Sequence, residues 1–223
     1  MEEHIVKIIS VQDVTHDVKC FRVERPAGYA FVSGQATDIS INTPDLKNEK
    51  RAFTFTNLNS DPYLEFTIKH YPQRLSITNL VHGLKPGDEI ILHEVFGEIS
   101  YKGEGVFIAG GAGITPFISI FRELHATGKM GNNMLVFANK LRKDIIRENE
   151  FRELLGNNFV NILSAEKTEN YAYGYISEDF LKTTIKDFNK IFYVCGPPPM
   201  MDIVVPMLLK LSVAENSLVV EPM

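Results

Sequence analysis

Cysteine is scarce in this 223-residue chain, which holds only Cys20 and Cys195. Two thiols build neither a disulfide framework nor an iron–sulfur ligand set, which needs about four thiolates. A redox centre here is therefore organic or belongs to a partner, and no metal site is expected. A basic surplus is also missing: 23 Lys and Arg face 28 Asp and Glu, a formal net charge of −5 that argues against nonspecific nucleic-acid binding. Long apolar runs are absent as well. The uncharged stretch 105–121 is broken by glycines and a proline, and it falls short of the roughly 20 apolar residues a spanning helix needs. Met1-Glu2-Glu3-His4 has neither the basic start nor the apolar core of a secretory signal, so a cytoplasmic location and no membrane partner are expected. No low-complexity tract or internal repeat interrupts a chain long enough for one large or two small domains.

The sequence changes character near residue 100. Before it, short β-rich runs at 4–14, 18–25, 36–42, 51–57, 63–70 and 89–96 are separated by turns such as Asn42-Thr43-Pro44-Asp45, Asn59-Ser60-Asp61-Pro62 and Lys85-Pro86-Gly87-Asp88. Six such strands without a convincing long helix predict a small antiparallel β-barrel. After Tyr101-Lys102-Gly103-Glu104, strands at 106–109, 134–138, 159–164, 191–195 and 217–220 alternate with helices near 116–127, 144–155, 177–184 and 199–211. That alternation predicts a five-stranded parallel α/β nucleotide-binding domain with its ligand crevice at the carboxyl ends of the strands. The expected division is a barrel domain over 1–102 and an α/β domain over 103–223.

Two stretches carry chemistry. In the first, Val106-Phe107-Ile108-Ala109 reads as a strand covered on both faces. Gly110, Gly111 and Gly113 follow, then Thr115 as an N-cap and Pro116 at the first helical position. A helix begun in this way turns its unpaired amides and positive dipole end toward the turn, where an anionic phosphate fits. A glycine turn taken alone fits a plain tight turn equally well. The second stretch, Ile191 to Met201, is another buried strand whose exit Cys195-Gly196-Pro197-Pro198-Pro199 is stiffened before a helix begins near Met200. Taken alone, Cys195 fits a small buried hydrophobe better than a site residue.

Together these segments resemble the ferredoxin–NADP reductase superfamily, which pairs a flavin-binding barrel with a nicotinamide-binding α/β domain. Four motifs stand in the family's order over essentially the whole chain. Arg51-Ala52-Phe53-Thr54 is similar to its Arg-x-Tyr-Ser/Thr flavin motif, and Thr78-Asn79-Leu80-Val81 with Lys85-Pro86-Gly87-Asp88 to its flavin-phosphate segment. Gly110-Gly111-Ala112-Gly113-Ile114-Thr115-Pro116 and Cys195-Gly196-Pro197-Pro198-Pro199-Met200 resemble the two nicotinamide-side motifs. The resemblance implies that Arg51 pairs with the FAD pyrophosphate, that Phe53 packs on the flavin in place of the usual tyrosine, and that the Thr54 hydroxyl lies near flavin N5. It also implies phosphate contacts from Thr78, or from Ser76 in a shifted register, and a flavin-side turn at Gly97.

On the nicotinamide side it implies that Cys195 and Thr115 line the pocket. Glu221 stands where plant-type relatives have a glutamate two places before a terminal aromatic. Met223 replaces that aromatic, which implies easier nicotinamide access. The expected reaction is hydride transfer from NADH or NADPH to FAD, followed by single-electron steps to a separate flavodoxin, ferredoxin or oxygenase component. Lys140, Arg142, Lys143 and Ser164 are candidates near a 2′-phosphate, but Ala165 stands where plant-type NADP enzymes place an arginine, so NADH is the favoured donor. Two alternatives stay open, a free flavin or ferric-chelate reductase and a non-autonomous electron-transfer subunit of a larger complex. Oligomeric state does not follow from the sequence.

Overall fold

The computed structural model describes residues 3–71, 77–97 and 99–222, the side chain of Pro222 excepted. Its elements in chain order are β1 (His4–Thr15), β2 (Val18–Glu24), β3 (Ala36–Ile41), β4 (Arg51–Thr54), β5 (Tyr63–Lys69), α1 (Ile77–His82) and β6 (Glu89–Phe96). There follow β7 (Gly105–Gly110), α2 (Thr115–Ala126), β8 (Met134–Asn139), α3 (Glu148–Leu155), β9 (Phe159–Leu163) and β10 (Ala172–Tyr173). The chain ends with α4 (Glu178–Thr184), β11 (Ile191–Gly196), α5 (Pro198–Lys210) and β12 (Leu218–Pro222).

The first six strands form one sheet in the order β4-β3-β6-β1-β2-β5, each pair antiparallel. An antiparallel bridge between Phe55, just past β4, and Phe66 of β5 joins the two edges and closes the barrel. Alternation along β1 shows why the sheet curls: Val6 and Ile8 are buried while Ile5, Lys7 and Ile9 are exposed, so one face needs cover. The covered face forms a core around Phe21, Val23, Phe55, Leu64, Phe66 and Leu92. Phe31 stacks on Phe55 at 4.2 Å. The buried Tyr29 hydroxyl donates into a pocket formed by Thr37 Oγ1 (2.9 Å) and the His93 carbonyl (2.8 Å), so its polar end is satisfied.

The second sheet has the order β10-β9-β8-β7-β11-β12 with every pair parallel. It holds one strand more than the five expected. The sixth, Ala172–Tyr173, pairs with Ile162 and Leu163 and is too short for any periodicity to register. From β7 the chain winds outward through β8, β9 and β10, then returns to the other side of β7 with β11 and β12. The order therefore reverses between β7 and β11, and open α/β sheets bind ligands at such a switch point.

The chain divides into two compact units, Met1–Ser100 with Thr115–Glu123, and Tyr101–Ile114 with Leu124–Met223. A single cut in the sequence does not express this, because most of α2 groups with the barrel although it is embedded in the α/β alternation. The Gly34 N–H donates to Ser119 Oγ at 3.0 Å, and Arg122 reaches the Thr56 carbonyl at 2.6 Å.

The short helix α1 supplies a pH-dependent element. The His82 ring stacks on His70 at 4.8 Å, and its buried Nε2 has no hydrogen-bond partner among the described residues. Burial first, then the neighbouring Lys19 and His70 charges, pushes its pKa down to about 4. Between that value and the ordinary 6.5 the unfolded chain binds the extra proton. The stability from His82 is thus complete above that window and is lost as pH falls through it. A His82→Leu variant should lose on the order of 1–3 kcal/mol less stability than the parent across this interval, read from urea midpoints at stepped pH. Parallel curves for the two proteins would refute it.

Candidate functional site

β7 is buried along its whole length and delivers Gly110 and Gly111 to the carboxyl edge of the parallel sheet. Gly111 has φ +52, a left-handed conformation, and no atom lies within 4 Å of where its Cβ would stand. That open face leaves the backbone free for a ligand's approach. Gly113 has the opposite surroundings: a Cβ there would overlap the Cys195 carbonyl and lie 2.7 Å from the Gly196 Cα. Only glycine lets the turn pass this closely under the end of β11.

A 3₁₀ turn over Gly111–Ile114 precedes α2, so Thr115 and Pro116 are the first two helical residues. The expectation of Thr115 as N-cap is corrected by that tighter turn. Thr115 is buried at the helix start.

The proline-stiffened exit of β11 meets the same turn. A Cβ on Gly110 would stand 3.1 Å from Pro197 Cδ and would overlap the Met200 thioether, which also lies against Gly196. Gly110, Gly113, Cys195, Gly196, Pro197 and Met200 thus form one cluster at the ends of the two strands that flank the switch point. Cys195 is 3% exposed and is paired in register with Glu221 of β12. Burial, reinforced by the Glu221 carboxylate, pushes the thiol up to about 12. A thiol whose ionisation is disfavoured in this way is a poor nucleophile. Met223 lies outside the described residues.

At the neighbouring strand ends, Ser164 donates its N–H to the Asn139 carbonyl (3.0 Å) and Ala165 to that of Lys140 (2.9 Å), which sets Lys140 beside Ser164. Arg142 is a sequence candidate at this place, whereas Glu166, Glu148, Arg152 and Tyr171 around it are not. Glu166 Oε2 accepts the Arg142 backbone N–H at 2.7 Å. The Arg142 guanidinium lies over the Tyr171 ring at 5.5 Å and 3.8 Å from Glu148. Burial opposes the ionisation of Glu148, but the Tyr171 hydroxyl, Arg152 and Arg142 outweigh it and hold the carboxyl below its usual range. Glu148 and Arg152 on α3 and Glu166 and Tyr171 in the loop after β9 have no common spacing by which a sequence could reveal them.

In the barrel unit, β4 presents Arg51 and Ala52 exposed and Phe53 and Thr54 half-buried, paired to β3 in the register Ile39 to Arg51 and Ala36 to Thr54. Arg51 has no ion-pair partner among the described residues. Phe53 packs on the rim of the barrel core, as its apolar ring predicts. Thr78 is buried in α1. The Asn79 amide instead clasps the backbone of Tyr71, donating from Nδ2 to its carbonyl (2.7 Å) and accepting its N–H (3.1 Å). Gly97 has φ +114 at the end of β6, a turn that suits glycine. Ser76 lies outside the described residues.

Comparison with known proteins agrees with this geometry. Residues 5–101 match the oxidoreductase FAD-binding domain and residues 107–205 the oxidoreductase NAD-binding domain. The chain is 32% identical over 215 residues to the reductase component of propane 2-monooxygenase from Rhodococcus jostii, covering 88% of this chain and 57% of that protein. It is 27% identical to NADH-cytochrome b5 reductase 2 of Mycosarcoma maydis, over 86% of this chain and 61% of the relative. The chain therefore spans about three-fifths of the length of these relatives. Among solved structures, the FAD/NAD-binding domain of nitric oxide dioxygenase from Vibrio cholerae superposes with a TM-score of 0.87 at 21% identity, over 98% of each chain. A ferredoxin NADP+ reductase from Neisseria gonorrhoeae with bound FAD and NADP superposes at 0.82 with 19% identity, over 100% of this chain and 99% of that one.

Proposed function

Because the chain belongs to the ferredoxin–NADP reductase superfamily, with an FAD-binding and an NAD-binding oxidoreductase domain in succession, we propose that it is a reductase. In this reading it moves a hydride from a nicotinamide dinucleotide to FAD and single electrons on to a separate protein carrier. Residues 1–102 hold the flavin and 103–223 the nicotinamide nucleotide. One observation carries the reading: the open, left-handed Gly111, just past β7, and the buried Cys195 on β11 stand at the ends of the two strands that flank the switch point.

The residues present fit both cofactors. Arg51 is exposed on β4 and offers a planar, permanently charged fork to a pyrophosphate. Phe53 offers an apolar ring to a flavin, and Thr54 a hydroxyl at the end of β4. Gly111 and the first turn of α2 offer amides to the dinucleotide phosphates. Bound FAD supplies the conversion between two-electron and one-electron chemistry. The protein supplies orientation and an environment in which Cys195 packs without ionising, while Glu221 beside it is the group placed to hold or release a proton.

A Cys195→Ser variant should keep its FAD but take up hydride about tenfold more slowly, a rise of about 1.4 kcal/mol in the barrier, measured by rapid mixing with NADH. Loss of FAD from that variant would contradict the role. Glu166 and Glu148 place carboxylates among the cations at the ends of β8 and β9, which disfavours a 2′-phosphate. NADH is the preferred donor, and Glu166→Ser should narrow the NADH-over-NADPH ratio of kcat/KM by about tenfold. A ratio unchanged by the substitution would remove Glu166 from donor choice.

Among the described residues no helix is long and apolar enough to cross a membrane. The decisive measurement is the visible spectrum of the purified protein, followed by anaerobic titration with NADH and NADPH. A flavin spectrum bleached by NADH supports the proposal. Failure to take up added FAD overturns it.

A further inference from the structure

Three helices of the α/β unit differ in what they show to solvent. The exposed positions of α3 are Asn149, Arg152 and Glu153, and those of α4 are Asp179, Lys182 and Thr183, all of them polar. On α5, beyond its proline-rich start, the exposed positions are Asp202, Ile203, Pro206, Leu209 and Lys210. Ile203 is 58% exposed and Leu209 38%. The opposite side of the same helix is buried through Met201, Val204 and Leu208. A helix that is apolar all round is normally covered all round, so the outward face of α5 calls for a partner.

The five residues are disposed symmetrically about Pro206. Ile203 and Leu209 lie three positions to either side of it, about 4.5 Å along the helix axis, and Asp202 and Lys210 four positions to either side, about 6 Å. At 3.6 residues per turn, all five fall within about 60° of Pro206 around the helix. The negative charge stands at one end of this face and the positive charge at the other. Asp202 has no ion-pair partner among the described residues. Lys210 reaches Glu178 of α4 at 2.6 Å, but Lys182 also holds Glu178, at 2.7 Å, and the Lys210 side chain stays 72% exposed. Pro206 has no N–H, so the Asp202 carbonyl is without its usual helical donor. A carboxylate and a carbonyl on one residue suit the three donors of an ammonium group.

We propose that this face of α5 is an interface between two copies of the chain, packed antiparallel about a twofold axis that passes between their Pro206 residues. A twofold contact joins a patch to itself, and this patch is complementary to itself in the antiparallel sense alone. Ile203 then lies level with Leu209 of the partner subunit, and Asp202 level with Lys210 of the partner subunit. A parallel arrangement would instead set like charges level with one another at both ends. A protein of different sequence would not require the face to be symmetric about one residue. Five residues from each copy make a contact well below the size of permanent dimers, so a dissociation constant on the order of 10–100 µM is expected.

Sedimentation equilibrium of the full chain between about 1 and 300 µM brackets that constant and tests the proposal. The parental protein should pass from one chain to two across the range. Ile203→Glu should stay a single chain throughout, a weakening of at least about a hundredfold. Asp202→Lys and Lys210→Asp should each weaken pairing by about tenfold, because every contact is made twice across the axis. The double variant exchanges the two signs and should return close to the parental constant. If Lys210→Asp does not fold beside Glu178, Ile203→Glu and Asp202→Lys decide. A parental protein that remains a single chain at every concentration overturns the proposal and leaves the face to a different protein. A dimer that survives Ile203→Glu overturns it as well, since the contact then lies elsewhere, and a double variant no tighter than the single ones overturns the antiparallel register.

Discussion

Replacing Arg51 with alanine should weaken FAD binding by about a hundredfold, or about 2.7 kcal/mol, and leave the folded protein intact. The stability part follows from exposure: Arg51 is an exposed residue of a four-residue strand with no ion-pair partner among the described residues, so its removal leaves no buried group unpaired. The affinity part follows from chemistry. A guanidinium presents paired N–H donors to phosphate oxygens, and such charge-assisted pairs are roughly twice as strong as neutral hydrogen bonds. Lysine keeps the charge but loses the planar fork, so Arg51→Lys should fall between the parent and the alanine variant. Titrating apoprotein with FAD while following flavin fluorescence gives the three dissociation constants, and their dependence on salt should weaken in the alanine variant. Equal constants for parent and Arg51→Ala would identify Arg51 as a solvated surface charge.

Strands were legible in this sequence where alternation or a continuous apolar run was long enough to register. All six barrel strands lie within a few residues of their expected ranges, and β7, β8, β9, β11 and β12 do so as well. The fold class follows from them. β10 escaped because two residues carry no period, and α1 because six residues amid turn signals read as loop. The grouping of α2 with the barrel was hidden for a different reason. It depends on Arg122 meeting Glu65, 57 positions away in sequence, and on Ser119 meeting Gly34, 85 positions away. The same holds for the carboxylates at the ends of β8 and β9, since Glu166, Glu148 and Tyr171 are brought to Arg142 by the chain's return. Motifs confined to one turn, such as Gly110 to Pro116 and Cys195 to Met200, were readable because strand, turn and helix are contiguous there. Even so, the tightness of the turn at Gly111–Ile114 was not, because its 3₁₀ geometry answers to the end of β11.

That tightness yields the second large effect. Gly113→Ala should cost about 2–3 kcal/mol of stability and reduce NADH-driven bleaching by about a hundredfold, because the new methyl group meets backbone that has no rotamer by which to yield. It would overlap the Cys195 carbonyl and approach the Gly196 Cα to 2.7 Å, so either β7 and β11 part or the turn moves. Both responses disturb the cluster that the dinucleotide needs, while the flavin motif on β4 is untouched. The control lies two residues away. At Gly111 the space around an added Cβ is open, and the residue's φ of +52 asks only that alanine adopt a left-handed conformation, at a cost of about 1 kcal/mol. Gly111→Ala should therefore lose little stability and still weaken NADH binding about tenfold, since the methyl group stands where the ligand would approach the main chain. Thermal midpoints and the NADH dependence of anaerobic bleaching, measured on both variants with FAD bound, separate the two effects. A Gly111→Ala protein with parental NADH dependence would show that the phosphates are held elsewhere. A Gly113→Ala protein with the parental midpoint would show that the ends of β7 and β11 yield more readily than their packing implies.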